Sequence, residues 1–172
     1  MPAKDDDAER AEWVRATVEQ YAGRLTRYAL MLTGDPERAK DVVQDTFAKL
    51  CAANREAVNA HVAQWLFTVC RNQAMDLRRE EKRMKPVSDE NKEALMSTSD
   101  SPATQLEQRE LTGGILEALA QLPRAQQEVV RLKFQAGLSY REISEVTSLS
   151  VSHVGVLIHT AIKTLRNRLE RP

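Results

Sequence analysis

The chain has 172 residues, 25 basic and 25 acidic side chains, a formal net charge of zero and only 5% aromatic residues. That length allows one domain or two small ones, and neutrality is unusual for a protein that grips DNA by itself. Six glycines and six prolines leave turn signals sparse among abundant helix formers, so an all-α fold is expected.

No apolar run approaches the length of a membrane span, and residues 1–7 are acidic rather than signal-like. A soluble, cytoplasmic protein with no membrane partner is expected. Cys51 and Cys70 stand far apart inside apolar helical patterns without a Cys-x-x-Cys. Small buried thiols are expected there, with no metal and no other cofactor. The charge is unevenly spread. Residues 1–84 carry 14 basic and 14 acidic side chains, 85–110 carry 3 and 6, and 111–172 carry 8 and 5. Two helical blocks are thus joined by an acidic strip, and the domains are expected at 1–85 and 105–172.

In chain order, residues 12–33 repeat Trp13, Thr17, Tyr21, Leu25, Tyr28 and Leu32 at helical spacing. Gly34-Asp35-Pro36 ends that helix and starts another, with Gly at the stop, Asp as N-cap and Pro at the first helical position. The second helix, 36–53, is expected to bury Ala39, Val42, Val43, Thr46, Phe47 and Leu50. Asp41, Gln44, Asp45 and Lys49 then fall beside or opposite that stripe. Residues 54–61 lack periodicity and read as a loop. A third helix from Val62 carries Trp65, Leu66, Val69 and Leu77 inward and ends in Arg78-Arg79-Glu80-Glu81-Lys82-Arg83. Residues 86–104, rich in Ser, Asp, Glu and Asn, bury too little apolar surface to offset their ordering entropy and read as a flexible linker.

Four further helices are expected at about 105–121, 123–135, 139–146 and 151–170, the first weakened by Gly113-Gly114. Ser139 and Glu142 have capping-box spacing, and Ser150 can cap the last helix through the amide of Ser152 or His153. The apolar rhythm Val154, Ile158, Ala161, Leu165, Leu169 follows. Two helices about a turn at residues 147–150 describe a helix-turn-helix, whose second helix normally enters a DNA groove. The same pattern also fits an ordinary helical hairpin.

Several blocks together resemble a known family. They are Asp41-Val42-Val43-Gln44-Asp45-Thr46-Phe47, the run from Trp65 through Asn72 to Arg79, Leu119-Ala120-Gln121-Leu122-Pro123, and Gly137-Leu138-Ser139-Tyr140-Arg141-Glu142-Ile143. In order and spacing they are similar to the small, two-domain extracytoplasmic-function (ECF) sigma factors of bacterial RNA polymerase. The resemblance implies a transcription initiation factor and no enzyme. Its partners would be core RNA polymerase (the coiled coil and flap), promoter DNA and an anti-sigma protein. Asp41, Gln44, Asp45 and Lys49 would dock on the coiled coil of the largest polymerase subunit. By spacing alone they fit a solvated helix face. Asn72 would hold a flipped base of the opened minus-ten element, for which an amide offers both donors and an acceptor. It fits a polar group capping a loop equally well. Arg71, Arg78, Arg79, Lys82 and Arg83 would meet phosphates, tempered by Glu80 and Glu81, while Trp65 is expected in the core. In the C-terminal block the resemblance implies that Tyr140, Arg141, Ser152, His153, Val156, His159, Thr160 and Lys163 face the upstream (minus-thirty-five) element.

Two departures from the family pattern follow. Residues 54–61 lack the Gly and aromatic often found where the family builds its base-capturing pocket. The second helix of the helix-turn-helix has Gly155, Val156, Leu157, Thr160 and Ile162 where several Arg or Lys are usual. It therefore lacks the bidentate arginine–guanine pair, which predicts weak intrinsic upstream binding, recognition tilted towards thymine methyls and backbone shape, or a protein partner over Val156, Leu157 and Ile162. Competing readings are a stand-alone helix-turn-helix regulator, which needs a dimer seam that is not evident, and a helical protein that regulates a sigma factor. A DNA-processing enzyme is disfavoured, because no carboxylates cluster with metal spacing and no Ser or Tyr adjoins an arginine cluster.

Overall fold

The computed structural model describes residues 3–84 and 105–170. Helices α1 (Ala3–Thr33), α2 (Pro36–Ala52), α3 (Arg55–Val58) and α4 (Val62–Met84), with a 3-10 turn at Asn59–His61 before α4, form one compact unit. Helices α5 (Gln105–Ala120), α6 (Arg124–Phe134), most of α7 (Tyr140–Thr147) and α8 (Val151–Leu169) form a second. No strand occurs among the described residues. The stretch read as a linker, residues 86–104, lies outside them.

In the first unit α1, α2 and α4 pack against one another. Helix α1 begins nine residues before the expected Glu12. Nothing in its first twenty residues breaks a helix, since neither Gly nor Pro occurs between Ala3 and Gly23. Asp6 and Asp7 also lie near its positive end. The corner into α2 is built as its three residues dictate. Gly34 takes φ 70°, a side chain of Asp35 accepts from the amide of Glu37 at 2.9 Å, and Pro36 opens the helix.

The core stacks Leu25, Tyr28, Ala29 and Leu32 of α1, Val42, Thr46 and Leu50 of α2, and Leu66, Phe67, Cys70 and Ala74 of α4. The edge of one ring meets the face of the other where Tyr28 and Phe67 pack, 5.3 Å between centroids. Periodicity had named Trp65, Val69 and Leu77 as inward, but all three are half-buried, and so is Phe47. Because α4 packs on both α1 and α2, its buried stripe is wide and centred on Leu66, Phe67, Cys70 and Ala74. Residues 54–61 are not a loop. Asn54 caps a one-turn helix by accepting from the amides of Glu56 and Ala57, and only Val58 of this stretch is buried.

In the second unit Leu119, Leu122, Val130 and Ala161 form a buried cluster with Leu165 against it. The amide of Gln127 donates to the carbonyls of Ala120 and Leu122, at 2.9 and 2.8 Å, and so fastens the turn from α5 to α6. Pro123 stands at the N-cap of α6, one residue before the helix, and α5 runs unbroken through Gly113-Gly114. The capping box of α7 is complete. The amide of Ser139 donates to Glu142 at 2.7 Å, and that of Glu142 to the Ser139 hydroxyl at 3.2 Å. At the turn Ser148 takes φ 61°, and the Ser144 hydroxyl donates to the carbonyl of Leu149 at 2.5 Å. Ser150 then caps α8 through the amide of His153 at 3.1 Å. Leu169, expected inward, is exposed at the end of α8.

Candidate functional site

Three outward surfaces carry the residues singled out from the sequence. On α2, Asp41, Gln44, Asp45 and Lys49 are all exposed, while Val42, Val43, Thr46 and Leu50 hold the opposite side in the core. Asp41 and Asp45 are one turn apart, and neither enters an ion pair among the described residues. Two carboxylates at that spacing can pair with guanidinium groups of a partner helix.

Helix α4 turns Asn72, Asp76, Arg79 and Arg83, spaced by one turn each, to solvent. Arg79 lies 3.4 Å from Asp76, and the amide of Asn72 is exposed rather than used to cap anything inside the fold. Arg71, Arg78 and Lys82 line a neighbouring flank of the same helix, the first two half-buried along their stems. The structure thus divides the six expected residues into two adjacent rows. Glu81 does not temper them, because it pairs with Arg38 of α2 on the inner flank. Trp65 is half-buried at the start of α4, on the same side as Asn72, and is not part of the core.

The two cysteines part company. Cys70 is buried beneath Thr46, and burial pushes its thiol up to about 12, with the Thr46 hydrogen bond pulling the other way. Cys51 was expected to be buried but is exposed in the last turn of α2. No group of three or more His, Cys, Asp or Glu side chains among the described residues is placed to hold a metal ion. No helix among them is long and apolar enough to cross a membrane.

On α8 the outer face presents Ser152, His153, Val156, His159, Thr160 and Lys163, all exposed, opposite the buried Val154, Ile158 and Ala161. Val156 is 62% exposed at its centre. Tyr140 and Arg141 open α7 and are exposed too. The Tyr140 ring lies beside Gly155, where a Cβ would stand 3.6 Å from it, and Lys133 sits 5.4 Å over the ring. Phe134, not among the expected residues, is likewise 62% exposed at the end of α6.

Contacts made by the start of α1 were also missed. Arg10 donates to the carbonyls of Cys51 and Ala53 at 2.6 and 2.7 Å. The Trp13 indole donates to Asn59 at 3.0 Å, and Glu9 pairs with Arg55 at 3.5 Å. An open cleft of about 1000 Å³ lies between these first turns and residues 52–60. The signal that could have found them is the unbroken run of helix formers before Glu12, which brings Arg10 and Trp13 into one helix.

Residues 17–84 match the family model of sigma-70 region 2, and residues 113–165 match that of sigma-70 region 4. The chain is 34% identical over 169 residues to the ECF RNA polymerase sigma factor SigL of Mycobacterium tuberculosis, covering 95% of this chain and 92% of that one. It is 29% identical over 154 residues to the ECF RNA polymerase sigma factor SigM of Bacillus subtilis, covering 87% and 93%. Among solved structures the fold is similar to the sigma factor RpoE in complex with the anti-sigma factor NepR from Bartonella quintana. That match has a TM-score of 0.62 and 20% identity and spans 98% of both chains. It is also similar to CnrH in complex with the cytosolic domain of CnrY, with a TM-score of 0.57 and 24% identity, covering 91% of this chain and 87% of that one.

Proposed function

The chain belongs to the extracytoplasmic-function sigma factors of bacterial RNA polymerase, and from that premise we propose how its two helical units share the family's task. It is a transcription initiation factor that binds core polymerase and directs it to promoter DNA, and it catalyses nothing itself. In our reading residues 1–85 dock on core and open the minus-ten element, residues 105–172 address the upstream element, and residues 86–104 connect them.

Asp41, Gln44, Asp45 and Lys49 form the core-binding face, supported by their joint exposure on one side of α2. Asn72 takes a flipped base, and Arg71, Arg78, Arg79, Lys82 and Arg83 follow the phosphates. The observation that carries this assignment is the outward row of Asn72, Arg79 and Arg83 opposite the buried face of α4. An amide in that row can read a base edge that has left the stack, while guanidinium groups hold the strand that carries it.

Tyr140, Arg141, Ser152, His153, Val156, His159, Thr160 and Lys163 meet the upstream duplex. With hydroxyl, imidazole and apolar groups in place of arginines, this helix reads thymine methyls and backbone shape with little discrimination of its own. The exposed Val156 and Ile162 also favour a second reading of α8, as a surface for a protein partner. An anti-sigma protein is the partner that fits, since the structural neighbour RpoE was solved in complex with the anti-sigma factor NepR. A factor acting on chromosomal promoters works in the cytoplasm.

The deciding experiment pairs Asn72→Ala with Asp41→Ala/Asp45→Ala in reconstituted holoenzyme. The first should slow promoter opening on the order of tenfold with core affinity unchanged, and the second should weaken core binding. Normal opening by Asn72→Ala, or normal core binding by the double variant, removes the corresponding assignment.

A further inference from the structure

Residues 54–61 have little apolar anchorage. Val58 is buried, and every other side chain in the stretch is exposed except the half-buried Arg55. One apolar contact fixes where a segment sits but leaves its rotation about that point free, so polar ties must set its orientation. Two such ties, and a third to the end of α2 just before the stretch, come from one element, the start of α1. Arg10 spans the carbonyls of Cys51 and Ala53. These lie at the end of α2, where the helix leaves acceptors unpaired and a guanidinium satisfies two at once. Trp13 holds Asn59 across 46 residues of sequence, and Glu9 holds Arg55. An open cleft lies beside the Arg10 and Glu9 contacts.

We propose that the first turns of α1 are a splint for residues 54–61, with Arg10 and Trp13 as positioning residues for promoter opening. The splint rests on the reading above that residues 1–85 open the minus-ten element and that Asn72 takes the flipped base, since this segment leads directly into α4, which carries Asn72. Its contacts hold the end of α2 and the segment that leads into α4 in one orientation before DNA arrives, so no ordering has to accompany base capture. Neither residue touches the base in this scheme. The contribution of Trp13 is its indole N–H rather than its ring.

The test uses holoenzyme reconstituted with core polymerase on a duplex promoter that it recognises. The non-template strand of the minus-ten element carries 2-aminopurine, whose fluorescence reports unstacking. Arg10→Ala should slow opening on the order of tenfold while core affinity stays unchanged. Trp13→Phe keeps an aromatic ring and loses the donor, so it should slow opening by a few-fold on the same scale. Asn59→Ala should do the same, and the double variant should be no slower than either single one, because all remove one bond. Normal opening by Arg10→Ala and Trp13→Phe, alongside slowed opening by Asn72→Ala, overturns the splint and leaves the minus-ten reading standing. Normal opening by all three overturns both. Equal losses of core affinity and opening in Arg10→Ala reduce the contacts to general folding and also overturn the proposal.

Discussion

Cys70 and Thr46 show how much one buried contact decides. The Thr46 hydroxyl donates to the carbonyl of Val42 at 2.7 Å and accepts from Gln73 at 3.2 Å, so α2 and α4 share a polar seam inside an apolar core. Within that seam Cys70 keeps its proton to about pH 12, against an ordinary 9.0. A folded pKa above the unfolded one means stability that is whole below pH 9 and declines as pH rises from there towards 12. Cys70→Ala should flatten that decline, measured as the difference in urea midpoint between about pH 8 and about pH 10.5. An identical decline in the variant would assign it to other groups. Alkylation of the native protein should modify Cys51 and spare Cys70. Gly155 gives a prediction of opposite sign. A Cβ there meets Tyr140 at an ordinary 3.6 Å, so Gly155→Ala should raise stability by ~0.5–1 kcal/mol through helix propensity, read as a higher Tm.

The helices themselves were largely legible because their punctuation is chemical. Gly34-Asp35-Pro36, the box of Ser139 and Glu142, and the Ser150 cap each form the bonds their side chains invite. Ser139→Ala should cost about 1 kcal/mol in thermal or urea unfolding, and an unchanged stability would deny the box its role. Where the sequence misled, a tertiary cause intervened. The buried stripe of α4 is set by contact with both α1 and α2, which moved Phe67 inward and left Trp65 at the edge. The stretch after α2 folded because Asn54 caps it and α1 reaches over it, and neither cause shows as periodicity. Exposure of Asp41 and the outer face of α8 could be read from spacing, that of Asn72 could not, and none of their partners could. The outer face of α8 is open to redesign. Val156→Arg should tighten upstream binding and steepen its salt dependence by about 0.9 in log–log slope for one added phosphate contact.

At the scale of the molecule, neutrality and a recognition helix poor in base cations fit a protein that never holds a promoter alone. Zero net charge gives no long-range pull on DNA, and the outer face of α8 offers Lys163 as its one cation among the six residues named there. In the proposed reading core polymerase would supply most of the grip, and two modest contacts on one chain would add up through tethering. Cutting the chain within residues 86–104 should therefore abolish promoter selection even with both halves supplied, because effective concentration is lost while the contacts remain. The most direct test maps transcription start sites on a genomic fragment library, using core polymerase with and without this protein. Addition of the protein should concentrate starts downstream of one shared minus-ten sequence, with looser agreement at the upstream element. Starts distributed as they are with core alone would contradict the account.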